Sequence, residues 1–221
     1  MGDDSRNEYI YKFVSTAVWA AADANPADRM ATGDKYLDSG KLYVAKLAAD
    51  GTGQWIELAM SNAQIQAYSA YKFADLADVL VNARLAADAV GATKMDRPEW
   101  CSVNPANGEI YYTLTNNSNR TVNPSGSSQL APDSANPRAY TDMKGSSAQN
   151  GNPNGHIIRF KEGTGAAAAT SFTWDVYLFG AESGADASKI NLSNLTADQD
   201  FSSPDGLAFS PYTGICWIQT D

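Results

Sequence analysis

The sequence predicts an all-β protein with a helical insertion, and three observations support this fold class. Short runs of aromatic and β-branched residues alternate with Gly, Asn, Asp and Pro along most of the chain, as in sheets built from hairpins. One segment, residues 61–90, instead spaces its apolar residues at intervals typical of helices. A pattern of strand, turn and strand also recurs after 106 residues, which indicates a repeated structural unit.

Two hairpins and two single strands are predicted in order along the chain. A strand covers residues 9–14, and the first hairpin covers 42–58, where two apolar runs flank a turn that contains glycine. The second hairpin covers 156–179, with its turn at 162–165. A last strand covers 217–221. These segments supply most of the predicted β-structure.

The segments between the two hairpins are predicted to be helical and then irregular. Residues 61–90 are expected to form one or two helices, with Ser61 and Gln64 as a capping box and Gly91 as the C-terminal stop. A long loop rich in Asn, Ser, Gly and Pro is predicted at 116–154. Loops of that length in a compact domain are usually functional or mobile.

The repeat relates two strand-turn-strand units that carry matching residues. Glu99 and Asp205 precede the first strand of their units, an Asn-Pro or Ser-Pro turn follows, and Gly108 and Gly214 precede the second strand. Two units of about 50 residues would fill this spacing, a size typical of propeller blades. The sequence therefore predicts a partial β-propeller of about four blade-like units, with residues 1–221 as a single domain that forms part of a larger ring.

The composition excludes several classes of function. Asp plus Glu number 25 against 16 Lys plus Arg, and the resulting net charge of −9 repels nucleic acid and anionic lipid. No apolar stretch approaches the ~18 residues of a membrane-spanning helix. The single histidine, His156, and the two cysteines, Cys101 and Cys216, cannot build a His-rich or a four-cysteine zinc site. Oxygen ligands and arginines are therefore expected to carry any chemistry, with His156 satisfied internally and the cysteines unpaired in the core.

The repeat places Glu99 and Asp205 at the same mouth of the predicted propeller. Carboxylates that converge in this way repel each other unless they are protonated or bridged by a cation. A ligand set made only of oxygen suits calcium. The alternative is that each carboxylate caps its own turn by accepting backbone hydrogen bonds.

Arg97 lies two residues before Glu99, and Pro98 restricts the backbone between them. An arginine in this position can bind a phosphate or carboxylate through two N–H groups beside the metal. The alternative is a salt bridge with Asp96. Taken alone, Arg159 is more typical of a solvated strand residue than of a ligand-binding one.

An acidic cluster precedes the first strand and consists of Asp3, Asp4 and Glu8. On composition alone, such a cluster is usually a solvated terminus. A metal-binding role for these residues is suggested only by a family resemblance.

Six motifs, spread in order from one end of the chain to the other, resemble the PhoX-type alkaline phosphatases, which are secreted bacterial enzymes with a propeller fold. The motifs are residues 2–15 (GDDSRNEYIYKFVS), 93–100 (TKMDRPEW), 112–117 (YTLTNN), 135–138 (ANPR), 155–159 (GHIIR), and 203–207 (SPDGL) with 217–221 (WIQTD). Because the order and the extent both agree, the resemblance is specific.

The resemblance implies a calcium-dependent phosphomonoesterase whose site combines iron and calcium with arginines that bind the phosphate of a small-molecule phosphate ester. It implies that the metal ligands in this chain are Glu99, Asp205, Glu8 and Asp4. It implies further that Arg97 binds phosphate and that Arg159 is its partner, with Arg138 as a competing candidate.

The sequence also departs from the family pattern. Ser5 stands where an acidic residue is common, and neither cysteine falls at the position of the family's iron cysteine. The family's long N-terminal part, with its twin-arginine export signal and further metal ligands, is not in this sequence, and the missing part of the same propeller is expected as the partner of this chain. A periplasmic or secreted location follows from the resemblance.

Two other functions fit the residues. One is a binding or scaffold propeller in which calcium joins the blades without turnover. The other is a calcium-dependent lactonase or esterase, in which Arg97 would be dispensable.

Overall fold

The structure is a computed structural model that describes residues 2–163 and 167–221. It is mostly β-structure with 14% helix, which confirms the predicted class at that level. The strands are β1 (Arg6–Glu8), β2 (Tyr11–Ser15), β3 (Gly40–Leu47), β4 (Thr52–Glu57), β5 (Met95–Asp96), β6 (Pro98–Val103), β7 (Ile110–Leu114), β8 (Tyr140–Lys144), β9 (Ser147–Gly151), β10 (His156–Glu162), β11 (Ser171–Phe179), β12 (Pro204–Phe209) and β13 (Cys216–Thr220). The α-helices are α1 (Arg29–Leu37), α2 (Ala63–Gln66), α3 (Leu76–Val81) and α4 (Ala83–Ala89), and a short 3₁₀ helix spans Ala21–Ala24.

Seven strands form one curled sheet in the order β2-β3-β4-β11-β10-β7-β6, and every neighbouring pair is antiparallel. Both predicted hairpins are present in it, β3 with β4 and β10 with β11. Residues 164 and 165 of the second predicted turn lie outside the described residues. These seven strands form one continuous sheet with no visible division into blades, so the predicted number of blade-like units stays a prediction.

The two faces of this sheet bury different residues because side chains alternate along a strand. On β3, Tyr43 and Ala45 point into an inner cluster, whereas Val44 packs on the other face. Aromatic rings dominate the inner cluster, where Phe160 and Phe172 stack with their centroids 4.4 Å apart. Each such fully buried ring stabilises the fold by about 1.5–3 kcal/mol.

Helices α2, α3 and α4 cover the outer face of the sheet at its β2–β3 end. Ile65, Val79 and Ala86 are fully or almost fully buried against that face. The predicted capping box is wrong, because the N-cap of α2 is Asn62, whose side chain accepts from the backbone N–H of Gln64. The predicted stop is confirmed, because Gly91 follows α4 with a left-handed φ of 63°.

The hairpin of β12 and β13 covers the same outer face at its other end. Leu207 of β12 packs there with Tyr111 and Ile157. This arrangement places the second unit of the sequence repeat directly beside the first, which is the hairpin of β6 and β7.

The two hairpins match in hydrogen bonding at a constant offset of 106 residues. The backbone N–H of Asn104 donates to the carbonyl of Glu109, and that of Ser210 donates to the carbonyl of Ile215. At the other end of each hairpin, Thr115 donates to the carbonyl of Arg97 and Asp221 to that of Ser203. The repeat in the sequence is therefore a repeat in backbone structure.

Two segments differ from the sequence prediction. The predicted long loop at 116–154 contains a hairpin, β8 with β9, whose residues are mostly polar and mostly exposed. Helix α1 was not predicted, because no residue of it is buried and it therefore lacks an apolar stripe. Asp28 caps this helix by accepting from the N–H of Ala31.

Candidate active site

Arg97 lies between β5 and β6, and two neighbours hold its guanidinium group. Nε and Nη2 donate to the two carboxylate oxygens of Asp4 at 2.7 and 2.8 Å, and Nη1 donates to Oδ1 of Asn116 at 3.1 Å. The Asp221 carboxylate is 3.8 Å from Nη2. This two-point contact is the geometry in which arginine also binds phosphate. The alternative salt bridge with Asp96 is wrong, because Asp96 pairs with a different arginine.

Glu99 lies beside Asp4 and within electrostatic range of Asp205. Partial burial, a hydrogen bond with Asp4 and the negative charges of Asp4 and Asp205 raise the pKa of Glu99 to about 7. Burial would also raise the pKa of Asp4, but hydrogen bonds to Arg97 and Glu99 outweigh it and lower that pKa. The structure therefore brings Asp4 into contact with both Arg97 and Glu99, and Asp205 acts on Glu99 as a further nearby negative charge.

The chemistry of these side chains fits a calcium ion better than iron. The donors are carboxylate oxygens whose repulsion a cation would relieve. Within residues 2–163 and 167–221, no three His, Cys, Asp or Glu side chains are grouped closely enough to hold a metal ion. The carboxylates therefore fit as part of a ligand set that needs further oxygen ligands.

Three left-handed residues introduce the predicted ligands. Asn7, with φ of 64°, directly precedes Glu8, and Arg97 and Ser203, with φ of 54° and 51°, each lie two residues before the carboxylate of their hairpin. A non-glycine residue in this region costs about 1–3 kcal/mol and persists where its surroundings enforce it. Sequence reasoning missed this feature, although Arg97 and Ser203 both precede a proline at equivalent positions of the repeat.

A buried polar network lies behind Arg97 and is centred on Asp96. The Asp96 carboxylate is fully buried and accepts hydrogen bonds from Asn117 at 2.8 Å, Arg120 at 3.0 Å and Asn152 at 3.1 Å. Arg120 is also fully buried and forms a salt bridge with Asp96. A buried charge needs such pairing, so the network holds the segment from which Arg97 projects.

His156 is fully buried beside this network, which confirms that it is satisfied internally. Nε2 is 2.8 Å from the carbonyl of Ala135, and Nδ1 is 3.0 Å from the side-chain amide nitrogen of Asn152. These partners assign the proton to Nε2 of a neutral imidazole. Burial lowers the pKa of His156 to about 4, in spite of the negative charge of Asp96.

Glu8 is buried on β1 and binds Arg84 rather than Arg97. Arg84 Nη1 is 2.5 Å from Oε1 of Glu8, and the N–H of Tyr9 donates to Oε2 at 3.1 Å. Burial raises the pKa of Glu8, although the charge of Arg84 opposes the shift. The contacts of Glu8 within the described chain therefore do not join it to Arg97 and Glu99.

Arg159 lies on β10, where it binds Asp175 of β11. Its Nε donates to Asp175 Oδ1 at 3.0 Å, and its Nη1 is 3.8 Å from Glu109. Arg159 stands opposite Tyr111 in the sheet, three residues along β7 from Leu114, which pairs with the residue after Arg97. Three residues of strand span roughly 10 Å, so the structure does not bring the two arginines together.

Arg138, the competing candidate, is buried and binds the protein itself. Its guanidinium donates to the carbonyls of Gly180, Ile190 and Gly155 and to Oδ1 of Asn152. Burial lowers the pKa of Arg138. With these donors in use, its contacts are those of a structural residue.

The two cysteines are unpaired, as predicted, but they are not in the core. Cys101 is exposed and Cys216 is half-buried. Neither lies among the residues that contact Arg97.

A match to a family model shows to which protein family this chain belongs. The model of the alkaline phosphatase PhoX family matches residues 1–221. The chain belongs to the PhoX family. The resemblance seen in the sequence motifs is thereby confirmed.

A solved structure of this family is also similar to the chain. It is described as "Pseudomonas fluorescens PhoX in complex with vanadate, a transition state analogue", with 38% identity and a TM-score of 0.78. The match covers 100% of this chain and 36% of that chain, so this PhoX chain spans about a third of the other's length. None of the curated proteins matches it.

Among the helices of the described residues, none is both long and apolar enough to cross a membrane.

Proposed function

We propose that this chain supplies the phosphate-binding part of the active site of a metal-dependent phosphomonoesterase. The observation that carries the proposal is the contact of Asp4 with both Arg97 and Glu99. Arg97 has N–H donors that can bind two oxygens, and it lies near the carboxylates of Asp4 and Glu99, whose negative charges its single positive charge does not balance. Membership of the PhoX family supports the same reading.

Arg97 binds the phosphoryl group of the substrate in this proposal. Three of the five N–H groups of an arginine are used here, two by Asp4 and one by Asn116. Two therefore remain for phosphoryl oxygens within the described part of the chain, and phosphate competes with Asp4 for the others. The positive charge stabilises the charge that develops on these oxygens in the transition state.

Glu99, Asp205 and Asp4 would hold calcium beside this arginine, and family resemblance alone adds Glu8 as a ligand and Arg159 as a second phosphate-binding residue. When bound there, a metal ion would supply positive charge for the phosphoryl oxygens and for activation of the nucleophile. Iron is proposed from the family alone. The sequence repeat supports a partial propeller of about four blade-like units that is completed by the missing part of the same ring. The resemblance supports a periplasmic or secreted location.

Hydrolysis of p-nitrophenyl phosphate by the full-length protein tests the proposal. We expect activity with calcium and its loss in EDTA. Arg97→Ala should lower kcat/KM by about 100-fold or more, the usual effect of removing a donor to a developing oxyanion. Glu99→Gln should raise the calcium concentration needed for half-maximal activity, because it removes the charge of a ligand.

Two exposed residues provide matched controls. Arg29→Ala and Glu182→Gln alter the same residue types away from the site and should leave the rate unchanged. Wild-type rates in both Arg97→Ala and Glu99→Gln would contradict the proposal. Calcium stabilisation without turnover would favour a scaffold, and cleavage of carboxylic esters independent of Arg97 would favour a lactonase or esterase.

A further inference from the structure

Two consecutive asparagines, Asn116 and Asn117, follow β7 and contact all three left-handed turns of the candidate site. We call them the asparagine pair. The side chain of Asn116 joins the two turns that the repeat relates. Its Oδ1 accepts from Nη1 of Arg97 at 3.1 Å, and its Nδ2 donates to Oγ of Ser203 at 3.2 Å.

Asn117 joins the remaining turn to the buried network. Its side chain is fully buried, and its Nδ2 donates to Oδ1 of Asn7 at 3.0 Å and to Oδ1 of Asp96 at 2.8 Å. Its backbone N–H and carbonyl both pair with Asn152, which fixes the position from which this amide projects. The pair is therefore anchored by a second segment of the chain.

An amide is the side chain suited to these contacts. Each asparagine carries an acceptor oxygen and two N–H donors, so one side chain can accept a hydrogen bond from one segment and donate a hydrogen bond to another. The three turns they bind come from distant parts of the sequence, and left-handed non-glycine residues persist only where surrounding contacts enforce them. The pair is thus placed to fix the relative positions of the segments that carry Arg97, Glu8 and Asp205.

We propose that Asn116 is a positioning residue that fixes the guanidinium of Arg97 against the turn carrying Asp205. Asn117 supports it by holding the turn that carries Glu8 against Asp96 of the buried network. The inference rests on the proposed function, because it concerns the orientation of the arginine that binds phosphate. Asn116 acts through Arg97 and does not itself perform chemistry.

A double-mutant cycle on the full-length protein tests this role, with p-nitrophenyl phosphate as substrate. Asn116→Ala should lower kcat/KM about tenfold, mainly by raising KM, because a hydrogen bond to a charged group is lost. In an Arg97→Ala background the same change should cost less than twofold, because the residue through which Asn116 acts is gone. Ser203→Ala should give a smaller loss than Asn116→Ala, of about twofold, and none when Asn116 is already alanine.

Asn150→Ala is the matched control, because Asn150 is an exposed asparagine in the β8–β9 hairpin, and it should have no effect. A merely structural role for Asn116 would reduce the active fraction, so kcat would fall with KM unchanged and the loss would be equal in both Arg97 backgrounds. That result would overturn the inference alone. A full-length wild-type protein without phosphatase activity would overturn the proposed function and the inference with it.

Discussion

At the residue scale, the candidate site combines backbone strain with polar contacts that enforce it. Arg97 adopts a left-handed conformation, and on either side of it the chain is held by Asp96 in the buried network and by Pro98 in β6. This strain is local and costs about 1–3 kcal/mol. The fully buried pair of Asp96 and Arg120 provides a rigid support on which such a residue can be held.

The protonation state of His156 is a measure of how well this buried network is formed, because His156 contacts Asn152 of the network. We expect its imidazole to stay neutral, with the proton on Nε2, from pH 8 down to about 5.5, because burial lowers its pKa to about 4. It is the single histidine of the chain, so NMR of the imidazole nitrogens assigns the signal without ambiguity.

The unfolded chain in urea is the control for this measurement, and there the imidazole should titrate near its ordinary pKa of about 6.5. The unfolded state binds this proton more readily than the folded state, so the contribution of His156 to the free energy of unfolding should fall as the pH decreases from about 6.5 to about 4. The raised pKa values of Glu99 and Glu8 act in the opposite direction, so the contribution of His156 is measured as the difference from a His156→Gln variant. A native midpoint near 6.5 would show that the imidazole is not held neutral by burial.

At the element scale, the two repeated hairpins use the same turn. Gly108 and Gly214 occupy equivalent positions with φ of 74° and 71°, and each donates its N–H to the carbonyl of the residue before the turn proline. A left-handed conformation costs an L-residue about 1–2 kcal/mol, so glycine has a physical reason to stand at both positions. Neither position is crowded, since no atom lies near an added Cβ.

Glycine-to-alanine changes should therefore have opposite effects in a turn and in a helix. Gly108→Ala should lower the free energy of unfolding by about 1 kcal/mol, because only the backbone conformation is strained. Gly33→Ala in α1 should raise it by about 0.5–1 kcal/mol, because this helical position is equally uncrowded and alanine restricts the unfolded chain.

Urea unfolding of the two variants and the wild type measures both effects. Gly108→Asn should be less destabilising than Gly108→Ala, because asparagine tolerates the left-handed region. Equal and small effects of alanine at both glycines would contradict the role assigned to the turn.

At the scale of the whole molecule, the candidate site lies where three distant segments meet at one end of the curled sheet. Asp4 precedes β1, Glu99 lies on β6 of the main sheet, and Asp205 lies on β12 of the second hairpin. The inner aromatic cluster stabilises the sheet independently of these carboxylates. A cation among them would therefore tie the second hairpin to the sheet without contributing to its core.

Removal of calcium from the full-length protein should accordingly loosen the second hairpin before the sheet. We expect EDTA to increase amide hydrogen exchange in residues 203–221 and to leave β10 and β11 almost unchanged, because the core contacts of those strands do not depend on the metal. Hydrogen exchange read by mass spectrometry measures the difference. Asp205→Asn should show the faster exchange with calcium present, and a uniform increase across both regions would contradict the prediction.

The parts of the fold that the sequence predicts correctly depend on local patterns. The alternation of apolar residues marks both hairpins of the main sheet, and the spacing of glycine and proline marks the repeat. The polar hairpin of β8 and β9 and the exposed helix α1 were missed, because neither buries an apolar face that would produce such a pattern. The cap of α2 was assigned one residue too early, because Ser61 and Asn62 are both residue types that cap helices and the sequence alone does not distinguish them.

The sequence by itself determined the family and the mainly β class, and it placed Arg97 two residues before Glu99, since these rest on short motifs and on a repeat of constant length. Only the tertiary structure decided which charged groups meet. Asp4 reaches Arg97 across 93 residues, whereas Glu8 turns to Arg84 and Arg159 to Asp175. Side chains of one charge are interchangeable in a linear pattern, but burial and distance in the folded chain leave each of them its own partner.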